Sequence, residues 1–181
     1  VLAANISNFL NVEHNSVDSV LLTKDKYSMR NELLKVGVKS PWFKRFSIHE
    51  STNNIVNEIS FPCVIKPTFL SASRGVIRVN TIKELSDSIK ILHELLSLDE
   101  LRKRGGEQSE WILFEEYIPG KEVAIEGIVS KGKVKILAVF DKPEPLEGPT
   151  FEETIIVTPS ILTKNIQYSL FETLQIVIKA L

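Results

Sequence analysis

Pro62-Cys63-Val64-Ile65-Lys66-Pro67, the loop Thr68 to Gly75, and Val76-Ile77-Arg78-Val79 form the stretch on which the reading of this chain turns. A brief apolar strand bracketed by prolines carries one lysine, Lys66, and the small-residue loop Ser71-Ala72-Ser73-Arg74-Gly75 leads into a second strand that alternates apolar and polar residues. Two strands joined in this way can close over a polyphosphate, because backbone N–H groups and Ser hydroxyls approach its oxygens where bulky side chains would obstruct them. Lys66 adds a point charge to the same phosphates. Taken alone, the stretch also fits an ordinary hairpin with a solvated lysine. The G-x-x-x-x-G-K-[ST] spacing is absent and no G-x-G-x-x-G occurs, which excludes P-loop and dinucleotide fingerprints.

Upstream, residues 16–22 and 25–36 carry apolar positions at helical spacing, with Gly37 where a C-terminal cap belongs. Pro41 stops the second helix, residues 42–46 read as a short strand or extended link, and a helix follows over 49–59. Downstream, Thr81 and Glu84 form a capping box for a long amphipathic helix that ends before Gly105-Gly106, its stripe running through Ile82, Leu85, Ile89, Leu92, Leu95 and Leu96. Trp111 to Phe114 reads as a buried strand running into Glu115-Glu116-Tyr117 and a Pro119-Gly120 turn. Residues 122–129 and 134–140 pair as a hairpin around Gly132. After a loop broken by Pro143, Pro145, Gly148 and Pro149, residues 154–157 read as a strand, Pro159-Ser160 as a helix start, and Ile166, Leu170, Leu174 and Ile178 as the stripe of a last helix. This order predicts an α+β fold with mainly antiparallel sheets rather than a doubly wound parallel one.

Bulk composition removes several classes. With 22 Lys+Arg against 23 Asp+Glu, the 181 residues lack the net positive charge that drives non-specific nucleic-acid or membrane binding. No apolar run approaches the roughly 20 residues of a membrane span, and no secretion signal opens the chain. One cysteine, Cys63, makes no internal disulfide, so the cytoplasm is the expected compartment. Cys63 reads as a small buried residue, and His14, His49 and His93 show no ligand spacing. The Arg102-Lys103-Arg104 run suits a helix C-terminus without a nucleic-acid partner. Val1 in place of an initiator Met, and a last helix still running at Leu181, suggest an excerpt of a longer protein.

A second feature is Phe114-Glu115-Glu116-Tyr117-Ile118-Pro119-Gly120-Lys121-Glu122, where a strand leaves the core beside carboxylates and an aromatic ring. Backbone N–H and C=O groups in such a place can read a purine edge, with Glu122 on a ribose hydroxyl; a strand end with a solvated acidic pair is the alternative. Asp25-Lys26 opening a helix, Phe61-Pro62-x-Val64-Ile65-Lys66-Pro67, Ser73-Arg74-Gly75-Val76, Phe114-Glu115-Glu116-Tyr117-Ile118-x-Gly120-x-Glu122 and Phe140-Asp141-Lys142 occur in one order. Together they resemble the ATP-grasp superfamily, over about residues 17–181. The nearest branch holds biotin carboxylase, the carbamoyl phosphate synthetase large chain and carboxylate–amine ligases. Glu147-Gly148-Pro149-x-Phe151-Glu152-Glu153-Thr154 and Val157-Thr158-Pro159-Ser160 look like dipeptide-forming and amino-acid ligases.

The resemblance implies a nucleotide held between two α+β subdomains: entry helices and linker over 1–43, a complete lid over 44–114, and over 115–181 the hinge and first part of a core truncated at its C-terminus. It assigns Lys26 and Lys66 to ATP phosphates, Ser71, Ser73, Arg74 and Gly75 to the covering loop, Glu115, Glu116, Tyr117 and Ile118 to adenine, and Glu122 to ribose. Lys142 is either a group near the γ-phosphate or substrate, or a solvated loop lysine. The loop has one glycine where several relatives have a run of them. The family's metal ligands for Mg²⁺ (or Mn²⁺) are expected beyond Leu181, so the fragment is expected to bind ATP without turnover. The implied reaction joins a small carboxylate to an amine through an acyl phosphate; a biotin-carboxylase-like or carbamoyl-phosphate-forming enzyme, or a non-catalytic nucleotide-binding module, are the alternatives.

Overall fold

The computed structural model describes residues 1–181. Three helices come first: α1 (Leu2–Phe9), α2 (Val17–Lys24) and α3 (Lys26–Lys35). Ser16 caps α2 through the Ser19 N–H at 3.0 Å, and Asp25 caps α3 through the Ser28 N–H at 2.7 Å. Gly37 closes α3 with its N–H on the Leu34 carbonyl, while the Val38 N–H returns to Leu33. Helix α1 has no counterpart in the sequence reading, since it has neither a side-chain cap nor a charged turn to announce it.

A four-stranded antiparallel sheet follows, built from β1 (Phe43–Ser47), β2 (Cys63–Pro67), β3 (Ile77–Val79) and β4 (Trp111–Glu116) in the order β1-β4-β2-β3. The last of its strands in the chain, β4, is therefore central, beside β2, and both are buried along most of their length as continuous apolar runs require. Helices α4 (Thr52–Val56), α5 (Ile82–Leu96) and α6 (Asp99–Gly105) accompany this sheet, and the core joins Ile65, Val79, Ile112 and Phe114 to Leu85, Leu92, Leu96 and Leu101. The helix expected over 49–59 shrinks to α4. The long amphipathic helix is split: α5 stops at Ser97, and α6 and a 3-10 turn over Gly106–Glu110 complete the path to β4. Ile82, placed on the apolar stripe, is exposed, whereas Leu85, Leu92 and Leu96 are buried.

The second sheet is the hairpin β5 (Val123–Ser130) and β6 (Lys133–Asp141), with Lys131 at φ +50° and Gly132 at φ +72° making the turn. Helix α7 (Lys164–Ala180) packs on β6 and α3. Residues 154–157 do not form the strand expected of them. Only Val157 pairs, through an isolated bridge to Asp141 at the end of β6. The last helix starts at Lys164, not at Pro159-Ser160, since Ser160 and the Ile161 N–H bind the Asp141 carboxylate instead (2.6 and 2.7 Å).

Candidate functional site

Where β2 and β4 run side by side, their register sets Val64 opposite Glu115 and Cys63 opposite Glu116. Alternation along β2 sends Val64 and Lys66 to one face and Cys63 and Ile65 into the core. Lys66 and Glu115 thus meet in a direct ion pair with the Glu115 side chain only 7% exposed. Arg30, one helical turn beyond Lys26 on α3, reaches the other oxygen of that carboxylate with Nε and Nη2, both at 3.2 Å. Lys26 Nζ donates to the carbonyls of Leu70, Pro67 and Thr68, tying the start of α3 to the end of β2.

Three cations therefore converge where Glu115 is the carboxylate that meets two of them; Asp25 is occupied at the N-terminus of α3. Burial lowers the Lys66 pKa from 10.5 to about 7, Arg30 and Lys26 add to the fall by repulsion, and Glu122 opposes it. Burial also lowers Lys26 and Arg30. Such a cluster carries excess positive charge with incomplete solvation, which favours a polyanion.

The cluster opens onto a cleft of about 410 Å³ lined by Lys66, Ser73, the segment Glu115–Glu122, Phe151 and Glu153. The far wall begins where β4 ends. The Tyr117 N–H returns to Pro62, and the Ile118 N–H meets no backbone carbonyl. Lys142 does not line the cleft; its side chain, 8% exposed, joins the carboxylates of Glu122 and Glu153, which do, and their bonds hold its pKa up against burial. It is a buried bridging lysine rather than a solvated one.

A strap closes one side. Arg78 on β3 lies 3.9 Å over the Tyr117 ring and donates to the Glu147 carbonyl at 2.8 Å, while its backbone N–H donates to Pro149 at 2.8 Å. The loop after β6 is thereby fastened to the edge of the first sheet.

Of the residues predicted from sequence, Lys66, Ser73, Glu115, Glu116, Tyr117, Ile118 and Glu122 line one cleft. Ser71, Arg74 and Gly75 do not line it, and Lys26 lies behind it on backbone carbonyls. Gly75 is fixed rather than loose. At φ +74° it packs so closely that an added Cβ would lie 2.9–3.1 Å from Leu95, Leu92 and Pro67. Arg30, Phe151 and Glu153 join the site unannounced; Arg30 was readable from its i+4 relation to Lys26. His49 and His93 meet edge to face and His49 contacts Glu110 at 2.9 Å, but no three His, Cys, Asp or Glu side chains gather into a metal-binding group. Cys63 is buried, its thiol pushed up to about 12 by desolvation.

The sequence model described as "ATP-grasp domain" matches residues 59–181. The chain belongs to the ATP-grasp family. Alanine–anticapsin ligase of Bacillus subtilis (strain 168) is 30% identical over 162 residues, covering 82% of this ATP-grasp chain and 33% of that ligase. The crystal structure of the L-amino acid ligase from Bacillus licheniformis superposes with a TM-score of 0.82 at 26% identity, over 98% of this chain and 41% of that one. The D-alanine–D-alanine ligase from Bacillus anthracis complexed with ATP shares the fold, with a TM-score of 0.66 at 19% identity over 98% of this chain and 54% of that one. The chain spans a third of the length of the alanine–anticapsin ligase that it matches. No helix is long and apolar enough to cross a membrane.

Proposed function

We propose that this chain is the ATP-binding part of a ligase that activates a small carboxylate as an acyl phosphate and joins it to an amine. The observation that carries the reading is the convergence at the head of the cleft of Arg30 and Lys66 on the Glu115 carboxylate, with Lys26 behind them on backbone carbonyls. Nucleotide phosphates supply the missing negative charge, and each desolvated phosphate oxygen needs a cationic or N–H partner. Lys66 and Ser73 face the phosphates, with Lys26 holding the base of the covering loop, Ser71 to Gly75, and adding its charge from behind.

Adenine lies against Glu116, Tyr117 and Ile118, with the Ile118 N–H available to the base edge. Glu122 takes a ribose hydroxyl, and Lys142 fixes its carboxylate. Residues 44–114 act as the lid and 115–118 as its hinge to the second sheet. The carboxylate oxygen attacks the γ-phosphorus, ADP leaves, and the amine nitrogen then displaces phosphate from the acyl carbon with loss of a proton. No side chain of the chain acts as a covalent nucleophile. The Mg²⁺ or Mn²⁺ that accompanies such phosphates is assigned in this proposal, on the family resemblance, to carboxylates beyond Leu181. The cytoplasm is the proposed compartment.

The similarity to alanine–anticapsin ligase and to the L-amino acid ligase supports amino acids as the carboxylate and amine class. The test is phosphate release by the ligase that contains this chain, supplied with ATP, Mg²⁺ and pairs of amino acids. Release that requires both partners and forms an amide bond is expected; release indifferent to the carboxylate overturns the reading.

A further inference from the structure

The Glu115 carboxylate is divided between two cations. One oxygen pairs with Lys66 and the other with Arg30, through Nε and Nη2 at 3.2 Å. Lys66 faces the cleft, so an arriving polyphosphate competes with Glu115 for the same ammonium. A site in which Lys66 alone neutralised Glu115 would strand a buried carboxylate each time Lys66 turned to phosphate, and stranding one partner of a buried pair is costly. Arg30 removes that obstacle, because its fork stays on the carboxylate whichever way Lys66 turns.

We propose that Arg30 is a positioning residue that keeps the Glu115 carboxylate neutralised while Lys66 exchanges it for the nucleotide phosphates. The inference rests on the nucleotide reading of the cleft and extends it to a residue that the sequence did not single out. The groups facing Lys66 are Lys26 and Arg30 from α3, Glu115 from β4 and Glu122 from the start of the second sheet. Without Arg30, Glu115 grips Lys66 alone, and one repulsive charge that lowers the Lys66 pKa is gone. Both changes hold Lys66 on Glu115 as a charged pair.

The experiment is a double-mutant cycle on the full chain, reading the affinity of a non-hydrolysable ATP analogue with Mg²⁺ in wild type, Arg30→Ala, Glu115→Gln and the double variant, each checked for folding by its melting curve. Arg30→Ala is expected to weaken binding by roughly tenfold with Glu115 present and by less than about twofold once Glu115 is Gln. The pH at which affinity falls, as Lys66 loses its proton, is expected to lie higher in Arg30→Ala than in wild type. Equal weakening in both Glu115 backgrounds makes Arg30 a direct phosphate ligand and overturns the exchange. Unchanged affinity in folded Arg30→Ala makes its role structural and overturns it as well. Should wild type itself fail to bind, the nucleotide reading falls and takes the exchange with it. Should Arg30→Ala fail to fold, Arg30→Gln takes its place in the cycle with the same expected outcomes.

Discussion

Replacing Lys66 by methionine separates what this side chain does for the fold from what it does for the site. Lys66 sits on a central strand with its side chain 15% exposed, and its pKa is lowered from 10.5 to about 7. Its charged form is therefore disfavoured in the folded protein by a few kcal/mol, even with Glu122 opposing the fall. Methionine fills a similar volume, and Glu115 remains paired with Arg30, so no buried anion is orphaned. The variant is expected to be more stable than wild type by about 1–2 kcal/mol at about pH 6.5, a melting-temperature gain of roughly 2–8 °C for a chain of this size. The sign with pH follows from proton counting. Between pH 7 and 10.5 the unfolded lysine holds a proton that the folded one has released, so wild-type stability rises with pH through that window and the advantage of methionine shrinks. Chemical denaturation of both proteins at about pH 6.5 and about pH 9.5 measures this, since every other titrating group is common to the two. A variant less stable by more than about 2 kcal/mol at the lower pH, or an advantage that grows with pH, would refute the reasoning.

Three further substitutions or reactions probe the surroundings. Gly75→Ala combines φ +74° with a Cβ 2.9 Å from Leu95 and 3.0 Å from Leu92, and should cost about 1–3 kcal/mol in a denaturant midpoint; a neutral result would mean that the turn below the covering loop is not fixed as described. Arg78→Ala removes the cation over Tyr117 and the bond to Glu147, and hydrogen exchange at the Arg78 amide, which is held on Pro149, should quicken by roughly tenfold; unchanged protection would show that the backbone pairing alone holds the strap. Cys63, buried with its thiol at about 12, should resist thiol reagents in the native protein near neutral pH and react only on unfolding.

Residue pattern carried most of the elements, because the proline-bracketed apolar run of β2, the alternation on β3, the capping box at Thr81-Glu84 and the turn at Lys131-Gly132 each leave a local signature. The centre of the site was legible for the same reason: Lys66 and the Glu115–Glu122 run lie in segments whose strand character fixes which side chains leave the core. What the pattern did not carry is pairing in space. Nothing local places β4 between β1 and β2, and only that order brings Glu115 to Lys66 and Arg30. The loop after β6 misled for a related reason. Ile155, Ile156 and Val157 have strand-forming side chains, yet they are exposed and all but Val157 lack a ladder partner, while Glu153 from the same loop enters the site in an ion pair with Lys142 that no spacing announces. Helix α5 ends where its apolar stripe ends, at Leu96, and not just before Gly105-Gly106, because Ser97 takes the capping position and Leu98 caps the next helix.

The most direct test of the central claim is calorimetric titration of this chain and of Lys66→Ala with ADP and a non-hydrolysable ATP analogue in Mg²⁺. The account predicts binding in the micromolar to millimolar range that Lys66→Ala weakens by about tenfold or more, the value of one charge-assisted phosphate contact. Equal affinity for the two proteins, or no heat from a demonstrably folded wild type, would contradict it.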